Sequence, residues 1–402
     1  MRKLLITAAA AAMPLICQGH AMADGPSLVG GKPWVGPLYP DSAKSQGHND
    51  TAKAMAQVDD NPLIRWAYRV WCGTGYHNVK NVGVNQFADP LPNPKRDLVS
   101  PLGYYYREYK DQMPSGGVQF MDNAWFFGTD YVGAVVVKTS DGLLLFDALT
   151  TWEDMKSQII DEMPKAGLNP ADIKYIFIGH RHGDHIGGIN LLLKEYAPNA
   201  IVVAGEPDKK WIEEQRAAVL NGTAALPRSL GASPAKEDVA AARERQLDEL
   251  PNKVDLSVPA FEGIKTGVKR IDVGGGTQVV TILNPGHTPG QISAIVPVKR
   301  NGKDHKLFVW SGNDQLSEAK QYAISTDFAR GVAEQEGADT FINTHPYQSA
   351  IFYHLRQLKE NPNADNPLLM GTDGVSRFLG VFAACQRAAR QRFDDGTWVS
   401  WE

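Results

Sequence analysis

The 402-residue sequence lacks several features that would restrict its function. Its apolar run near the N-terminus has only about 13 residues, too few to cross a hydrocarbon core of ~30 Å. No cluster of basic residues with interleaved aromatics is present, which argues against a nucleic-acid partner. No Gly-x-Ser-x-Gly motif supplies a serine nucleophile. With 43% apolar and 21% charged residues, the composition is that of a globular protein that needs no membrane.

The N-terminus has the pattern of a secretory signal. Arg2 and Lys3 precede the apolar segment 4–16, and small residues follow at Ala21 and Ala23. This pattern predicts a signal peptide over residues 1–23, a mature chain beginning at Asp24, and a periplasmic or secreted location. Loss of the segment removes two of 41 basic residues and none of 45 acidic ones. The mature chain then has a mildly acidic balance.

Cysteine is scarce, with three residues in the whole chain. Export would leave Cys72 and Cys385 in an oxidising compartment, where a disulfide is permitted. Two buried free thiols are the alternative. The bridge is favoured because the two cysteines leave none unpaired.

The pattern of apolar residues divides the mature chain near residue 118. We predict that residues 24–117 form an N-terminal extension that wraps the core. It contains one clear helix, capped by Asn61 and with Pro62 at its first position. Residues 118–402 alternate between strands and helices, which predicts sheet layers covered by helices. Residues 206 to about 262 interrupt the alternation with a highly charged helix, so we expect a helical insertion that is either a surface element or a lid.

One short segment has the residue types of a metal centre. The run 179–185 reads Gly-His-Arg-His-Gly-Asp-His and follows the apolar strand 175–178. His180 and His182 can point the same way from a turn, whereas Asp184 and His185 can address a second position nearby. Imidazole and carboxylate ligands of this kind suit zinc.

Two further histidines occur in the same context, directly after predicted strands. His287 lies in Asn-Pro-Gly-His-Thr-Pro-Gly after the strand 279–283, and His345 lies in Asn-Thr-His-Pro after the strand 340–343. Each alone is typical of an ordinary loop histidine. Together with the first motif, both are predicted to be metal ligands.

These motifs resemble those of the metallo-β-lactamase superfamily. The shared features are Asp-Gly-Leu-Leu-Leu-Phe-Asp at 141–147, His-x-His-x-Asp-His, Pro-Gly-His-Thr-Pro-Gly and the late histidine. The chain is most similar to the exported subclass B3 metallo-β-lactamases, on account of the Asn-Thr-His-Pro segment and the tail with Cys385. The resemblance implies an αββα sandwich, an α/β (α+β) fold, over about residues 118–395.

The resemblance also implies the roles of individual residues. One zinc would bind His180, His182 and His287, and a second zinc would bind Asp184, His185 and His345. Asp184 would be the catalytic carboxylate, because it would orient a zinc-activated water and move its proton. Asp147 would support the ligands from behind them.

The expected reaction is hydrolysis of a small molecule. Opening of a β-lactam is favoured, and hydrolysis of a lactone or other ester is the alternative. A bridging carboxylate at Asp314 would favour the lactone, whereas Asn313 facing the cleft would favour the lactam. An iron-dependent oxidoreductase on this fold would have glutamate in place of His182, and a non-catalytic metal-binding module would not need the full ligand set.

Overall fold

A computed structural model describes most of the chain after residue 41. The described residues are 28–29, 32–33, 42–72, 111–226, 235–312, 319–349 and 351–395. The predicted signal peptide 1–23, the start at Asp24 and most of the predicted extension lie outside them, as do Asn313 and Asp314. Two short strands, β1 (Leu28–Val29) and β2 (Lys32–Pro33), pair antiparallel with each other.

The larger sheet follows chain order across its width. Within the described residues it has seven strands, antiparallel in its first half and parallel from the fourth strand onward. The strands are β3 (Val118–Met121), β4 (Ala124–Gly128), β5 (Gly133–Lys138), β6 (Leu143–Phe146), β7 (Ile173–Phe177), β8 (Ile201–Gly205) and β9 (Leu256–Val258).

The second sheet lies in the C-terminal half of the chain. Its five strands within the described residues are antiparallel, except that the last two run parallel. They are β10 (Gly267–Asp272), β11 (Gln278–Leu283), β12 (Ile292–Arg300), β13 (Lys303–Trp310) and β14 (Thr340–Asn343). The β13–β14 pair brings the residues after both strands to one edge of this sheet.

Helices cover the outer face of each sheet. They are α1 (Ala43–Ala56), α2 (Pro62–Cys72), α3 (Trp152–Met155), α4 (Gly183–Ile186), α5 (Ile189–Glu195), α6 (Glu206–Leu220), α7 (Lys236–Glu249), α8 (Ala319–Glu336), α9 (Ile351–Glu360) and α10 (Gly371–Asp394). A π-helical turn, Lys156–Ile160, follows α3. Short 3₁₀ turns occupy Met163–Ala166, Pro170–Asp172 and Pro346–Ser349. Among the described residues, every helix is too short or too polar to span a bilayer.

The alternation of side chains along the strands creates two apolar cores. In β6, Leu144 and Phe146 join the core between the sheets, whereas Leu143 and Leu145 face the helices outside. Such alternation follows from the two-residue repeat of a strand. The order is therefore helices, sheet, sheet, helices, and the αββα sandwich predicted from the sequence is confirmed.

Helices α1 and α2 of the N-terminal extension pack on α10. Helix α2 begins as predicted, since Asn61 Oδ1 accepts hydrogen bonds from Leu63 N at 3.0 Å and Ile64 N at 3.3 Å. Helix α2 ends at Cys72, whose sulfur is bonded to Cys385 of α10, with 4.6 Å between their Cα atoms. The structure therefore contains the disulfide predicted from the two mature cysteines.

The segment 206–262 lies along the outer layer of the larger sheet. Ile212 of α6 is buried in the outer core, and Arg245 of α7 pairs with Glu153 of α3 at 2.7 Å. Strand β9 extends the sheet beside β8. Residues 227–234 of this segment lie outside the described part of the chain, and its boundaries as an insertion, like the other domain boundaries, stay predictions.

Candidate metal centre

The predicted ligands meet where several strands end. His180 follows β7, His287 follows β11 and His345 follows β14. Gly179 permits the turn into His180, because a Cβ at this position would lie 2.1 Å from Ser311 Cβ. Residues at the ends of packed strands have a fixed backbone but open onto a cleft. The six side chains thus come together from three distant parts of the sequence.

The short helix α4 separates the residues of the first motif. His182 is its N-cap residue, and Asp184 and His185 belong to its first turn. His182 is therefore still on the turn with His180, whereas the two residues inside the helix are rotated towards the other histidines. The residues of the motif therefore lie on two local elements, the turn before α4 and α4 itself, and their division between two metal positions stays a prediction.

The first group of donor atoms contains three histidines. The ligand atoms of His180, His182 and His287 all lie within 4.8 Å of one another, and His182 Nδ1 is 2.9 Å from His287 Nε2. His180 Nε2 is buried and has no hydrogen-bond partner among the residues that the structure describes. Burying a polar nitrogen without a hydrogen-bond partner costs free energy. Several nitrogen lone pairs this close together can instead coordinate a cation.

The second group contains one carboxylate and two histidines. His185 Nε2 lies 2.9 Å from His345 Nε2, and Asp184 Oδ2 lies 3.5 Å from each of these nitrogens. All three atoms point towards a single small volume. Asp184 and His185 also form a possible metal group with His180, which lies between the two sets.

The hydrogen bonds behind the second group decide which nitrogens are free. His345 Nδ1 donates to the Tyr131 carbonyl at 3.0 Å, and His185 Nδ1 donates to Asp147 Oδ2 at 2.7 Å. In neutral rings, therefore, both Nε2 atoms present lone pairs to each other and to the Asp184 carboxylate. This arrangement fits a divalent cation with nitrogen and oxygen ligands.

The pKa values of His185 and His345 are shifted by the charged and polar groups around them. Burial lowers the pKa of His185, but the Asp147 and Asp184 carboxylates outweigh it and raise the pKa to about 10. Burial and the neighbouring His185 lower the pKa of His345 to about 4. A proton on His185 thus occupies the position that a bound cation would take, and cation binding must release it.

Asp184 is ionised in this setting. Burial raises the pKa of its carboxyl group, but the charge and hydrogen bond of His185 outweigh burial and hold the pKa below the usual range of an aspartate. The residue therefore provides a negative charge at the point where the two groups of donors meet.

Asp147 supports both groups from behind, and it was predicted from the sequence to do so. Its Oδ1 accepts from Gly179 N at 2.7 Å, and its Oδ2 accepts from His185 Nδ1 and, at 2.8 Å, from Ser311 Oγ. Because Ser311 uses its hydrogen on Asp147, Ser311 Oγ accepts from His180 Nδ1 at 3.1 Å. Asp147 itself has a positive φ of 66°, a conformation that aspartate tolerates better than most residues.

Sequence reasoning missed three supporting groups. Ser311, the Tyr131 carbonyl and Asp208 each bind a ligand or the loop that holds one. Ser311 follows a strand, as the predicted ligands do, so its position was a usable signal. The Tyr131 carbonyl and Asp208, which lies in the first turn of a helix, have no comparable pattern in the sequence.

Comparison with known proteins gives a match to a family model and several similar solved structures. Residues 128–300 match the model of the Metallo-beta-lactamase superfamily. Similar solved structures include BJP-1, a subclass B3 metallo-beta-lactamase of Bradyrhizobium japonicum, which is 24% identical with a TM-score of 0.48 and covers 73% of this chain and 96% of its own. The FEZ-1 metallo-beta-lactamase from Legionella gormanii is 18% identical with a TM-score of 0.47, covering 71% and 96%. The matched segment includes five of the six predicted ligands and is consistent with the superfamily predicted from the sequence.

Proposed function

Because residues 128–300 match the model of the Metallo-beta-lactamase superfamily, we propose that this protein is an exported dinuclear zinc hydrolase that opens a β-lactam ring. The observation that supports it best is the convergence of Asp184 Oδ2, His185 Nε2 and His345 Nε2 beside the three histidines of the first group. A lactone or other ester is the alternative substrate.

The proposed zinc ligands follow the two groups of donor atoms. His180, His182 and His287 would form the first subsite, and Asp184, His185 and His345 the second. Bound zinc would supply Lewis acidity and would lower the pKa of a water molecule to about 7.

The chain's own residues have separate tasks in this proposal. Asp184 would orient the attacking water through its carboxylate, take up the proton and return it to the leaving atom. The Asp147 and Tyr131 contacts would keep His185 and His345 in one tautomer, so that each Nε2 stays free. No covalent intermediate with the protein is needed.

Metal analysis combined with a panel of substrates tests this function. We expect about two zinc ions per chain and hydrolysis of a cephalosporin, with slower turnover of lactones and aryl esters. Turnover of a lactone without any β-lactam turnover would replace the favoured substrate by its alternative, and iron in place of zinc would indicate an oxidoreductase. A protein that binds zinc but hydrolyses none of these compounds would be a binding module.

The role of Asp184 has its own test. Asp184→Asn should keep most of the zinc at the first subsite and lose activity by about 100-fold or more, because a positioned acid–base group contributes on that scale. Asp141→Asn, in an exposed turn, is the matched control and should behave like the parent protein. Full activity of Asp184→Asn would remove this residue from the mechanism.

The choice between lactam and lactone also depends on Asp314. We expect Asp314→Ala to keep both zinc ions and cephalosporin turnover, because the proposed ligand set is complete without a bridging carboxylate. Loss of zinc in this variant, together with a parent enzyme that prefers lactones, would favour the alternative.

A further inference from the structure

A fully buried carboxylate lies next to the first subsite and outside every motif identified from the sequence. Asp208 belongs to the first turn of α6, within the segment 206–262. Its Oδ2 accepts from Arg181 N at 2.9 Å and from Thr288 Oγ1 at 2.6 Å, and its Oδ1 accepts from Gly290 N at 3.0 Å. All three donors belong to the two loops that supply the first subsite.

Two of these donors neighbour a predicted ligand in the sequence, and the third, Gly290, lies in the same loop as His287. Arg181 lies between His180 and His182, and Thr288 follows His287 directly. Asp208 therefore joins the backbone of one loop to the backbone and side chain of the other. Its carboxylate makes no contact with an imidazole among the described residues, so any effect on the ligands must act through the positions of the two loops.

Arg181 adds a second connection between the first loop and α6. Its guanidinium nitrogen lies 3.7 Å from Asp208 Oδ1, and its guanidinium carbon lies 4.8 Å from the centre of the Trp211 ring. Asp208 and Trp211 are three residues apart, on one face of the helix. The side chain of Arg181 is thus directed to α6, while His180 and His182 on either side of it meet the other ligands.

The contact between α6 and the second loop is close. A Cβ at Gly290 would lie 2.3 Å from Asp208 N, and a Cβ at Gly205 would lie 2.0 Å from Gly290 O. Backbone packed at this distance leaves little room for the loop to shift while its hydrogen bonds persist. The start of α6 therefore sets where the loop of His287 lies.

We propose that Asp208 is a positioning residue for the first metal subsite, and that it acts by holding the loops of His182 and His287 at a fixed separation. The proposal rests on the proposed zinc function. The segment 206–262 then contributes directly to the metal centre, beyond its packing on the outer layer.

Zinc affinity of the holoenzyme and its variants tests the proposal. Asp208→Asn keeps the size of the side chain, but its amide cannot accept from all three donors, so one loop loses a partner. We expect zinc affinity at one subsite to fall about 10- to 100-fold, the range for changes behind a ligand. Stoichiometry at limiting zinc should fall from two towards one per chain, and the absorption spectrum of the Co²⁺-loaded protein should lose the contribution of one subsite.

A variant of similar burial on the same helix provides the control. Ile212→Ala removes a buried side chain of α6 from the outer core and leaves the hydrogen-bonding groups of Asp208 and both loops unchanged. It should lower the thermal stability of the metal-free protein and leave both zinc affinities unchanged. Thr288→Val removes a single donor and should weaken zinc binding less than Asp208→Asn does, which keeps the test open should Asp208→Asn fail to fold.

The outcomes separate this proposal from the proposed function. A parent protein that binds no zinc would contradict the function itself. If the parent binds two zinc ions and Asp208→Asn binds them equally tightly, Asp208 is not a positioning residue. The same conclusion holds if Asp208→Asn and Ile212→Ala weaken zinc binding in proportion to their loss of stability.

Discussion

The two proposed metal subsites are held in different ways. In the second, two rings are bonded individually, His185 to Asp147 and His345 to the Tyr131 carbonyl. In the first, His180 is the one ring with such a contact among the described residues, and its partner is Ser311. His287 Nδ1 has no hydrogen-bond partner within the described part of the chain, and the His287 backbone N donates to Gln291 Oε1 at 3.2 Å.

This difference indicates what each subsite depends on. In the second subsite, the tautomer and rotation of each ring decide where its ligand nitrogen points. Changing the hydrogen-bond partner of a ring should therefore lower the metal affinity of this subsite directly. The first depends on the relative position of two loops that Asp208 connects. Ligands of the first subsite can therefore be disturbed by a residue that contacts none of their rings.

Removal of all metal tests what the subsites share, and it should have the largest effect. Treatment with a chelator should reduce the rate of hydrolysis more than about 100-fold, because the Lewis acidity of the metal lowers the activation barrier by several kcal/mol. Addition of zinc should restore activity, measured with the same substrate. Activity that persists in demonstrably metal-free protein would contradict the proposed function, and the difference between the two subsites would then have no bearing on catalysis.

Removal of one ligand from each subsite should separate them. His287→Ala and His345→Ala should each lower the zinc content by about one per chain, because each leaves the other three ligands in place. Native mass spectrometry at limiting zinc measures this content. Loss of both ions in either variant would indicate a single cooperative centre.

Asp147→Asn should affect both subsites, and the second more strongly. His185 loses a charged acceptor directly, whereas His180 is affected only through Ser311. We expect zinc affinity at the second subsite to fall about 10- to 100-fold, measured by competition with a chromogenic chelator.

Ser311→Ala sharpens this prediction, since it should weaken the first subsite alone. Asp141→Asn, at the other end of β6, serves as the control. Equal losses at both subsites in Ser311→Ala would mean that the Asp147 network cannot be divided as proposed.

The disulfide should have the smallest effect on the metal centre. Replacing Cys72 and Cys385 by serine should lower the free energy of unfolding by about 2–5 kcal/mol, because the cross-link restricts the unfolded chain. Zinc content should not change, since the bridge joins α2 to α10, and neither helix carries a proposed ligand. Chemical denaturation and metal analysis of the same preparation measure both quantities, and a loss of zinc would connect the bridge to the centre.

Much of the centre was predictable because its ligands have local signatures. The motif around His180 is recognisable by itself, and together with it the positions of His287 and His345 after strands indicate further ligands. The helix start at Asn61 has an equally local cause. The support of His345 by the Tyr131 carbonyl was not predictable, since every residue has a carbonyl group. The bond between Trp66 Nε1 and the Tyr347 carbonyl, 3.0 Å long, links α2 to the turn after His345 and was equally hidden.

The sequence by itself determined the residue types of the candidate metal centre, their places after strands and the two-sheet fold that the alternating patterns imply. Tertiary structure alone decided which nitrogen of each ring is free and which loops are bound together. The physical reason is that ligand type and strand pattern are local properties, whereas a tautomer or a loop position depends on groups far apart in the chain. Asp208, 80 residues from Thr288, is an ordinary helix residue until folding buries it between the two loops.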